Sequence, residues 1–183
     1  MMKLASHNPL MTDPMPGEKT DPAKTRGTIT LRDADPSDLC SINSLIASAI
    51  GTWRLADRVK RISLPLYRYH EVDLQEMQIV VAQSGGDAIL GIAALEQADA
   101  GAMFGGLPTA VLHGIYVAPN LHRNGVGSRL LEKIETLARS RGIAVLLVRA
   151  RLEAISFFNA RGFGKLTTRD DRGDYPHQFH KIL

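Results

Sequence analysis

Residues 111–142 constrain the fold of this chain more than any other stretch. An apolar, strand-like run leads through Pro119 into a turn that holds Gly125 and Gly127, and the turn opens directly onto a helical pattern. The first turn of a helix leaves backbone N–H groups unpaired beside the positive end of the helix dipole. Glycine has no Cβ to keep a phosphate away from the backbone. This order of elements predicts a binding site for a phosphate-bearing ligand.

The helix after the turn is predicted from its periodicity. After Val126, apolar residues recur at spacings of three and four, at Leu130, Leu131, Ile134, Leu137 and Ala138. Such a stripe packs on a core while the charged residues between its members stay in solvent. Gly142 is expected to end the helix in the left-handed conformation, which glycine adopts without strain.

Two common phosphate-binding patterns do not fit this turn. A mononucleotide-binding P-loop ends in Gly-Lys-Ser or Gly-Lys-Thr, whereas the turn here ends in Gly127, Ser128 and Arg129. A dinucleotide-binding turn has a third glycine, with an acidic residue about 20 positions later. Only Gly125 and Gly127 are present, so both patterns are excluded.

A third pattern does fit, and it is carried by two motifs. Residues 122–127, His-Arg-Asn-Gly-Val-Gly, resemble the acyl-CoA pyrophosphate loop of the GNAT N-acetyltransferase superfamily, written Gln/Arg-x-x-Gly-x-Gly/Ala. Residues 115–119, Ile-Tyr-Val-Ala-Pro, resemble the strand that precedes the loop, with its Val-x-Pro ending. Residues 154–163 resemble the second signature of the family, Ala-x-x-Phe-Tyr-x-x-x-Gly-Phe. The motifs follow each other in the expected order.

The resemblance implies acetyl-CoA as the acyl-donor co-substrate. Its diphosphate would lie on the loop amides, and its pantetheine arm would hydrogen-bond the strand backbone like an added strand. Two central parallel strands would splay apart after residues 115–117 to make room for it. A strand N–H would stabilise the oxyanion that develops on the thioester. The residues implied in cofactor binding are Ile115, Tyr116, Val117, His122, Arg123, Asn124, Gly125, Val126, Gly127, Ser128 and Phe158.

Two positions depart from the family pattern. His122 stands where the pattern has Gln or Arg, but the loop acts mainly through backbone N–H groups, and Arg123 still offers a cationic donor to phosphate. Phe158 stands where many relatives carry a Tyr that is taken to protonate the departing thiolate. A phenylalanine has no proton to give, although a thiol with a pKa of about 8.5 leaves without full protonation.

Acyl transfer to an amine needs a base, because an alkylammonium has no lone pair with which to attack the thioester. The candidates are His113, on the strand beside the expected thioester, and Glu96, at the end of the preceding strand. Histidine has the better intrinsic pKa for the task. Tyr116 could donate a proton in place of the missing tyrosine. Each of these side chains also has an ordinary structural interpretation, as a packed aromatic, a rim histidine or a solvated carboxylate.

Composition limits the remaining possibilities. The 183 residues carry 22 basic and 19 acidic side chains, and a net charge of +3 is too small to indicate nucleic-acid binding. The single Cys40 excludes an internal disulfide and a cysteine-based metal cluster, and no metal site is expected. No apolar run approaches the roughly 20 residues that span a bilayer. We therefore expect a cytoplasmic protein with no membrane or nucleic-acid partner.

The predicted fold is α/β: a GNAT-like mixed sheet of about six to seven strands, with helices on both faces and splayed parallel central strands. Residues 1–27 are interpreted as a flexible tail and residues 28–183 as a single acyltransferase domain. The expected strands are 28–32, 78–83, 88–97, 111–117, 144–150, 165–169 and 178–183. Helices are expected from Pro36 to Gly51, in part of 53–72, from Val126 to Gly142 and over 153–161, and an exposed loop over 98–108.

The functional expectation is an N-acetyltransferase. It would move an acetyl group from acetyl-CoA to a primary amine of a small molecule, amino acid or peptide, by direct attack in a ternary complex. The alternative is a non-catalytic acyl-CoA-binding or sensing module that kept the cofactor site and lost the proton donor. Formation of a homodimer is left open.

Overall fold

The computed structural model describes residues 28–85, 87–96, 103–166 and 177–183. The predicted tail, residues 1–27, lies outside the described residues. The strands are β1 (Thr30–Asp33), β2 (Met77–Gln83), β3 (Ile89–Glu96), β4 (Met103–Phe104), β5 (Leu107–Val117), β6 (Val145–Arg149), β7 (Gly164–Lys165) and β8 (Gln178–Ile182). The helices are α1 (Leu39–Gly51), α2 (Asp57–Ser63), α3 (Glu71–Glu76), α4 (Val126–Ser140) and α5 (Ile155–Ala160).

Seven of the strands form one sheet in the order β1-β2-β3-β5-β6-β8-β7, and the short β4 pairs with the start of β5. Among the described strands, β5 and β6 are the one parallel pair, and the others run antiparallel. Antiparallel neighbours need only tight turns, whereas the parallel pair needs a crossover, which α4 supplies. The mixed α/β sheet predicted from the sequence is confirmed.

A hydrophobic core lies on each face of the sheet. On one face the apolar stripe of α4 packs on the central strands, with Leu130 and Ile134 completely buried. On the other face α1 packs through Ile42 and Ile46, which are also completely buried. Fully burying such a side chain stabilises the fold by about 1.5–3 kcal/mol. The two helices therefore fix the central strands from both sides.

The structure differs from the sequence-based expectation over residues 98–108 and agrees with it over residues 53–72, which are helical in part. The sequence predicts an exposed loop over residues 98–108, but in the described part of this interval Met103 pairs with Pro108 in a hairpin, and β5 begins at Leu107. Residues 53–72 form α2 and a 3-10 turn, and α3 begins within the interval at Glu71. Pro65 lies in the first turn of that 3-10 segment, where its missing N–H costs nothing.

The parallel strands separate earlier than expected. The pairing of β5 with β6 runs from Thr109 and Val145 to Leu112 and Val148, and β6 ends one residue later. The splay therefore begins after Leu112 and not after residues 115–117. In the described part of the chain, no helix is long and apolar enough to cross a membrane.

Candidate acyl-CoA and amine site

A β-bulge marks the start of the splay. On β3, Leu95 pairs with Leu112 and Ala94 pairs with Gly114, so His113 is the extra residue on β5. A bulge re-aims side chains and is common beside active sites. Here it brings Gly114 and Tyr116 onto the α1 face, with Ile115 and Val117 on the α4 face.

Beyond the bulge, the backbone N–H and C=O groups of β5 alternate between the side of β3 and the side of the splay. The N–H of Ala118 donates to the carbonyl of Leu90 at 2.9 Å. In an antiparallel ladder every second residue is hydrogen-bonded to the partner strand, so this bond fixes which residues of β5 pair with β3. By this alternation the N–H and C=O groups of Tyr116 face β3, and those of Ile115 and Val117 face the splay. Within the described residues, β6 has already ended there. These two residues therefore offer a strand edge to a ligand.

The turn before α4 is built for an anion. Arg123 has a φ of 65° and Gly125 a φ of 81°, both in the left-handed region. Gly125 is the N-cap residue of α4 and has no side chain to accept from the first-turn N–H groups. Alternating left-handed residues and an uncapped helix N-terminus form a concavity of backbone N–H groups that attracts anions.

The side chains around this turn are divided between the core and the surface. Val126 is buried in the core and anchors the helix start, while His122, Arg123 and Asn124 are exposed. Nε2 of His122 lies 3.2 Å from the carbonyl oxygen of Val117, at the edge of the splay. A Cβ placed on Gly127 would lie 3.5–3.6 Å from Phe157 and Val117.

A second cation lies at the mouth of α4 and was not predicted from the sequence. A guanidinium nitrogen of Arg161 donates to Oγ of Ser128, and the guanidinium lies 6.0 Å from the centroid of the Phe157 ring. Arg161 occupies an unspecified position of the second motif, directly before Gly162, so the motif itself gave no signal for it.

Phe158 lies in the core on the α4 side of the sheet. Its ring is 4% exposed and packs edge-on against Phe157 and Phe163, with centroids 5.2 Å apart in both pairs. Tyr116 packs on the opposite face, among the residues under α1. The two aromatic residues named as cofactor-binding candidates are thus on different sides of the sheet.

On the α1 face, three titratable rings come together. Oη of Tyr69 lies 3.0 Å from Nδ1 of His113. The ring of Tyr116 covers Gly114 so closely that a Cβ there would lie 2.6 Å from it. Burial raises the pKa of the Tyr69 phenol well above its ordinary value, and the neighbouring Tyr116 and Asp73 raise that pKa further. Tyr69 therefore stays a neutral phenol at any physiological pH.

The second candidate base lies apart from this cluster. Glu96 is the last residue of β3, pairs with Val111 and is exposed. That position is on the closed part of the sheet, before the bulge. The structure thus brings His113 and Tyr116 together with Tyr69 and leaves Glu96 at the rim.

The segment that follows α1 contacts the segment that follows β6. The guanidinium of Arg151 lies 4.3 Å from the centroid of the Trp53 ring, and the N–H of Arg54 donates to Glu153 at 3.2 Å. Burial opposes ionisation of Glu153, but hydrogen bonds from the backbone N–H groups of Glu153 and Arg54, with the charges of Arg151 and Arg54, lower the pKa of its carboxyl. These contacts connect the segments that follow α1 and β6.

Comparison with known proteins identifies the family. The sequence matches the family model described as "Acetyltransferase (GNAT) family" over residues 47–163, more than half of the chain. The chain belongs to the GNAT acetyltransferase family. Comparison with curated proteins finds no matching sequence.

Solved structures share the fold at low sequence identity. The PaiA N-acetyltransferase from Thermoplasma acidophilum in complex with coenzyme A superposes with a TM-score of 0.68 at 15% identity, covering 85% of this chain and 99% of that chain. A GCN5-related N-acetyltransferase from Rhodopseudomonas palustris gives 0.66 at 21% identity, with 86% and 97% covered. A GNAT family acetyltransferase from Brucella melitensis in complex with acetyl-CoA gives 0.56 at 18% identity, with 76% and 84% covered.

Proposed function

We propose that this protein transfers the acetyl group of acetyl-CoA to a primary amine by direct attack in a ternary complex, with residues 28–183 acting as one catalytic domain. The observation that carries the proposal is the juxtaposition of two open backbone sites. The uncapped N-terminus of α4 lies at the end of β5, and the strand edge at Ile115 and Val117 leads to it.

The donor side of the site fits acyl-CoA chemistry. The first-turn amides of α4 would bind the diphosphate, and Arg123 and Arg161 would add positive charge. The pantetheine amides would pair with the backbone of Ile115 and Val117 in the manner of an added strand. His122 already contacts the carbonyl of Val117, so it lies at the entrance that the arm would use.

The acceptor side lies under α1, on the face of the sheet that carries His113 and Tyr116. We assign His113 as the general base, because it lies at the bulge where the splay begins. Glu96 remains a second candidate at the rim, acting through water. Tyr116 is the candidate proton donor to the thiolate, since Phe158 has no hydroxyl.

The first experiment measures thiol release from acetyl-CoA over a panel of amines, amino acids and short peptides. We expect thiol release that depends on the acceptor amine. A His113→Gln variant should bind acetyl-CoA as the wild type does and lose at least about 100-fold in kcat, the usual scale of general-base catalysis.

The second candidate function is acyl-CoA sensing without catalysis, and the observation that favours it is Phe158. Both functions predict acetyl-CoA binding, and they differ in turnover. Tight binding with no acceptor-dependent thiol release over the whole panel would contradict catalysis and support the sensor.

A further inference from the structure

One contact on the α1 face connects parts of the chain that are 44 residues apart. The hydroxyl of Tyr69, a residue that is 4% exposed, meets Nδ1 of His113 at 3.0 Å. The two rings also meet edge-on, with centroids 5.8 Å apart. A buried phenol thus holds an exposed imidazole through one ring nitrogen, and Nε2 is the nitrogen left for chemistry.

The position of Tyr69 is itself fixed from α1. Nδ2 of Asn43 donates to the carbonyl of Tyr69 at 2.8 Å, and the N–H of Tyr69 donates to Oδ1 of Asn43 at 2.9 Å. Asn43 lies between the buried Ile42 and Ile46 positions that hold α1 on the sheet. The placement of the phenol is therefore set by a packed helix, although the segment that carries Tyr69 is a connection between short elements.

We propose that Tyr69 is a positioning residue for acetyl transfer, held in place by Asn43. Its oxygen accepts a hydrogen bond from Nδ1–H of His113, so that Nε2 presents its lone pair to the acceptor amine. This inference rests on the proposed function. In the transfer, the amine nitrogen bonds to the carbonyl carbon and the carbon–sulfur bond breaks with its electron pair on sulfur. The amine proton goes to Nε2 and then to solvent.

The tautomer matters because a neutral imidazole has one donor and one acceptor nitrogen. If Nδ1 accepted from the phenol, Nε2 would carry the proton and could not act as a base. Hydrogen bonding at Nδ1 decides which nitrogen is free. A neutral phenol can donate to Nδ1 or accept from it, so the tautomer of His113 is the first readout of the test.

Two titratable groups act on Tyr69, namely Tyr116 on β5 and Asp73 on α3. Both stay in place in a Tyr69 variant, so a change caused by Tyr69 alone is measurable by comparison with the wild type.

The test compares Tyr69→Phe, which keeps the ring and removes the oxygen, with Tyr67→Phe. Tyr67 lies in the same segment but packs edge-on against Trp53, with centroids 5.2 Å apart. The full-length proteins are labelled with 15N-histidine, and the ring nitrogens of His113 are followed by NMR. We expect the wild type and Tyr67→Phe to carry the neutral proton on Nδ1, and Tyr69→Phe to move it largely to Nε2.

Kinetics give the second measurement. We expect Tyr69→Phe to lower kcat about tenfold, part of the 10²–10⁴-fold that a positioned base contributes, and to leave the KM for acetyl-CoA within about twofold. We also expect its pH–rate profile to differ from that of Tyr67→Phe.

An unchanged His113 tautomer in Tyr69→Phe overturns the proposal, and so does an unchanged kcat and pH profile in an active enzyme. Absence of turnover in the wild type overturns the proposed function instead. The tautomer measurement needs no turnover, so it still decides whether Tyr69 orients His113.

Discussion

Phe158 is the residue at which the chain departs most sharply from the pattern of its family. It is buried between Phe157 and Phe163, in a cluster that has no need of a hydroxyl. A tyrosine there would carry a hydroxyl that must find a partner, and a buried unpaired hydroxyl costs about 1–3 kcal/mol. Under the proposed function, the CoA thiolate would supply such a partner only in the complex. Phenylalanine at this position therefore favours the stability of the free protein, and it offers no proton to the departing thiol.

The Phe158→Tyr substitution separates the effect on the stability of the free protein from the effect on departure of the thiol. We expect it to lower the free energy of unfolding of the free protein by about 1 kcal/mol or more. At pH 7 it should raise kcat several-fold, and the gain should fade above a pH of about 8.5, where the thiolate leaves unaided. Phe163→Tyr, in the same cluster, serves as the control. A gain in kcat that is equal at every pH would contradict the proton-donor explanation.

Asp38 is a buried carboxylate that is paired with Arg32. Arg32 donates to both of its oxygens, at 2.6 and 2.8 Å, and the N–H of Asp35 donates at 2.9 Å. The hydrogen bonds from Arg32, against the opposing effect of burial, lower the pKa of Asp38 below its usual value. A depressed carboxyl pKa stabilises the fold above the unfolded-state pKa, and that contribution is lost as the pH falls through the folded-state value.

Asp38→Asn should therefore cost about 2 kcal/mol of stability at pH 7. The difference from the wild type should narrow as the pH falls below about 4, where the unfolded aspartate takes up its proton. Urea unfolding at pH 7, 5 and 3 measures this. A difference that stays constant from pH 7 to pH 3 would show that the charge of Asp38 is not the cause.

At the residue scale, sequence motifs point to residues that are close together in the sequence. They give no information on contacts between residues that are far apart in the sequence. His113 is named as a candidate base because a histidine on the strand before the loop is chemically suited to that role. Tyr69 was not assigned a role, because its contact with His113 depends on how residues 53–72 fold back under α1. Arg161 was missed because its relation to Ser128 joins two helices across 33 positions.

The element at the centre of the proposed donor site is α4, with the turn before it. Its N-terminus combines two left-handed residues with a buried anchor at Val126. Gly125 needs its positive φ, whereas a Cβ at Gly127 would make only ordinary contacts with Phe157 and Val117. The two glycines thus have different reasons to be there, and Gly127 is the one that can be substituted without backbone strain.

Substitutions at Gly127 test the site with a graded series. Gly127→Ala should keep acetyl-CoA affinity within about threefold, because its Cβ fits and the helix gains up to about 1 kcal/mol in propensity. Gly127→Leu should weaken binding at least about tenfold, or 1.4 kcal/mol, because its branch must enter the splay or cover the amides. Ligand-dependent thermal shifts report both, with Gly51→Ala, in open space, as the control. If acetyl-CoA shifted the thermal unfolding of Gly127→Ala, Gly127→Leu and Gly51→Ala equally, the ligand would bind elsewhere.

Periodicity predicted the long elements well. The limits of α4, β2 and β3 follow from apolar spacing and from turn residues, and the structure confirms them within a few residues. The hairpin of β4 with β5 and the early splay were missed. Both features depend on where the partner strand lies or ends. The local sequence of one strand does not contain that information, because strand formation depends on the neighbouring strand.

At the scale of the whole molecule, the C-terminal strand closes the fold. β8 lies between β6 and β7. Nζ of Lys181 on this strand donates to Glu135 of α4 at 2.6 Å, and Arg139 lies 3.7 Å from the same carboxylate. Glu135 is 8% exposed, so its charge is stabilised by these partners and by little water. The ion pair joins β8 to α4, the helix at the centre of the proposed donor site.

Lys181→Met should destabilise the protein by about 3 kcal/mol, because a buried carboxylate loses its nearer partner. Replacing both groups, as Glu135→Leu with Lys181→Met, should cost less than the single substitution, since no buried charge is then left unpaired. Denaturant unfolding of the two variants gives the comparison. A double variant that is less stable than Lys181→Met would refute this account of the ion pair.

The central claim is that the mouth of α4 and the adjacent edge of β5 bind acetyl-CoA. Calorimetric titration of the purified wild-type protein with acetyl-CoA tests it most directly. We predict saturable binding of one acetyl-CoA per chain, competed by free CoA and weakened by salt as expected for a charged diphosphate. No saturable heat, with the protein folded and neither ligand shifting its thermal unfolding, would contradict the account.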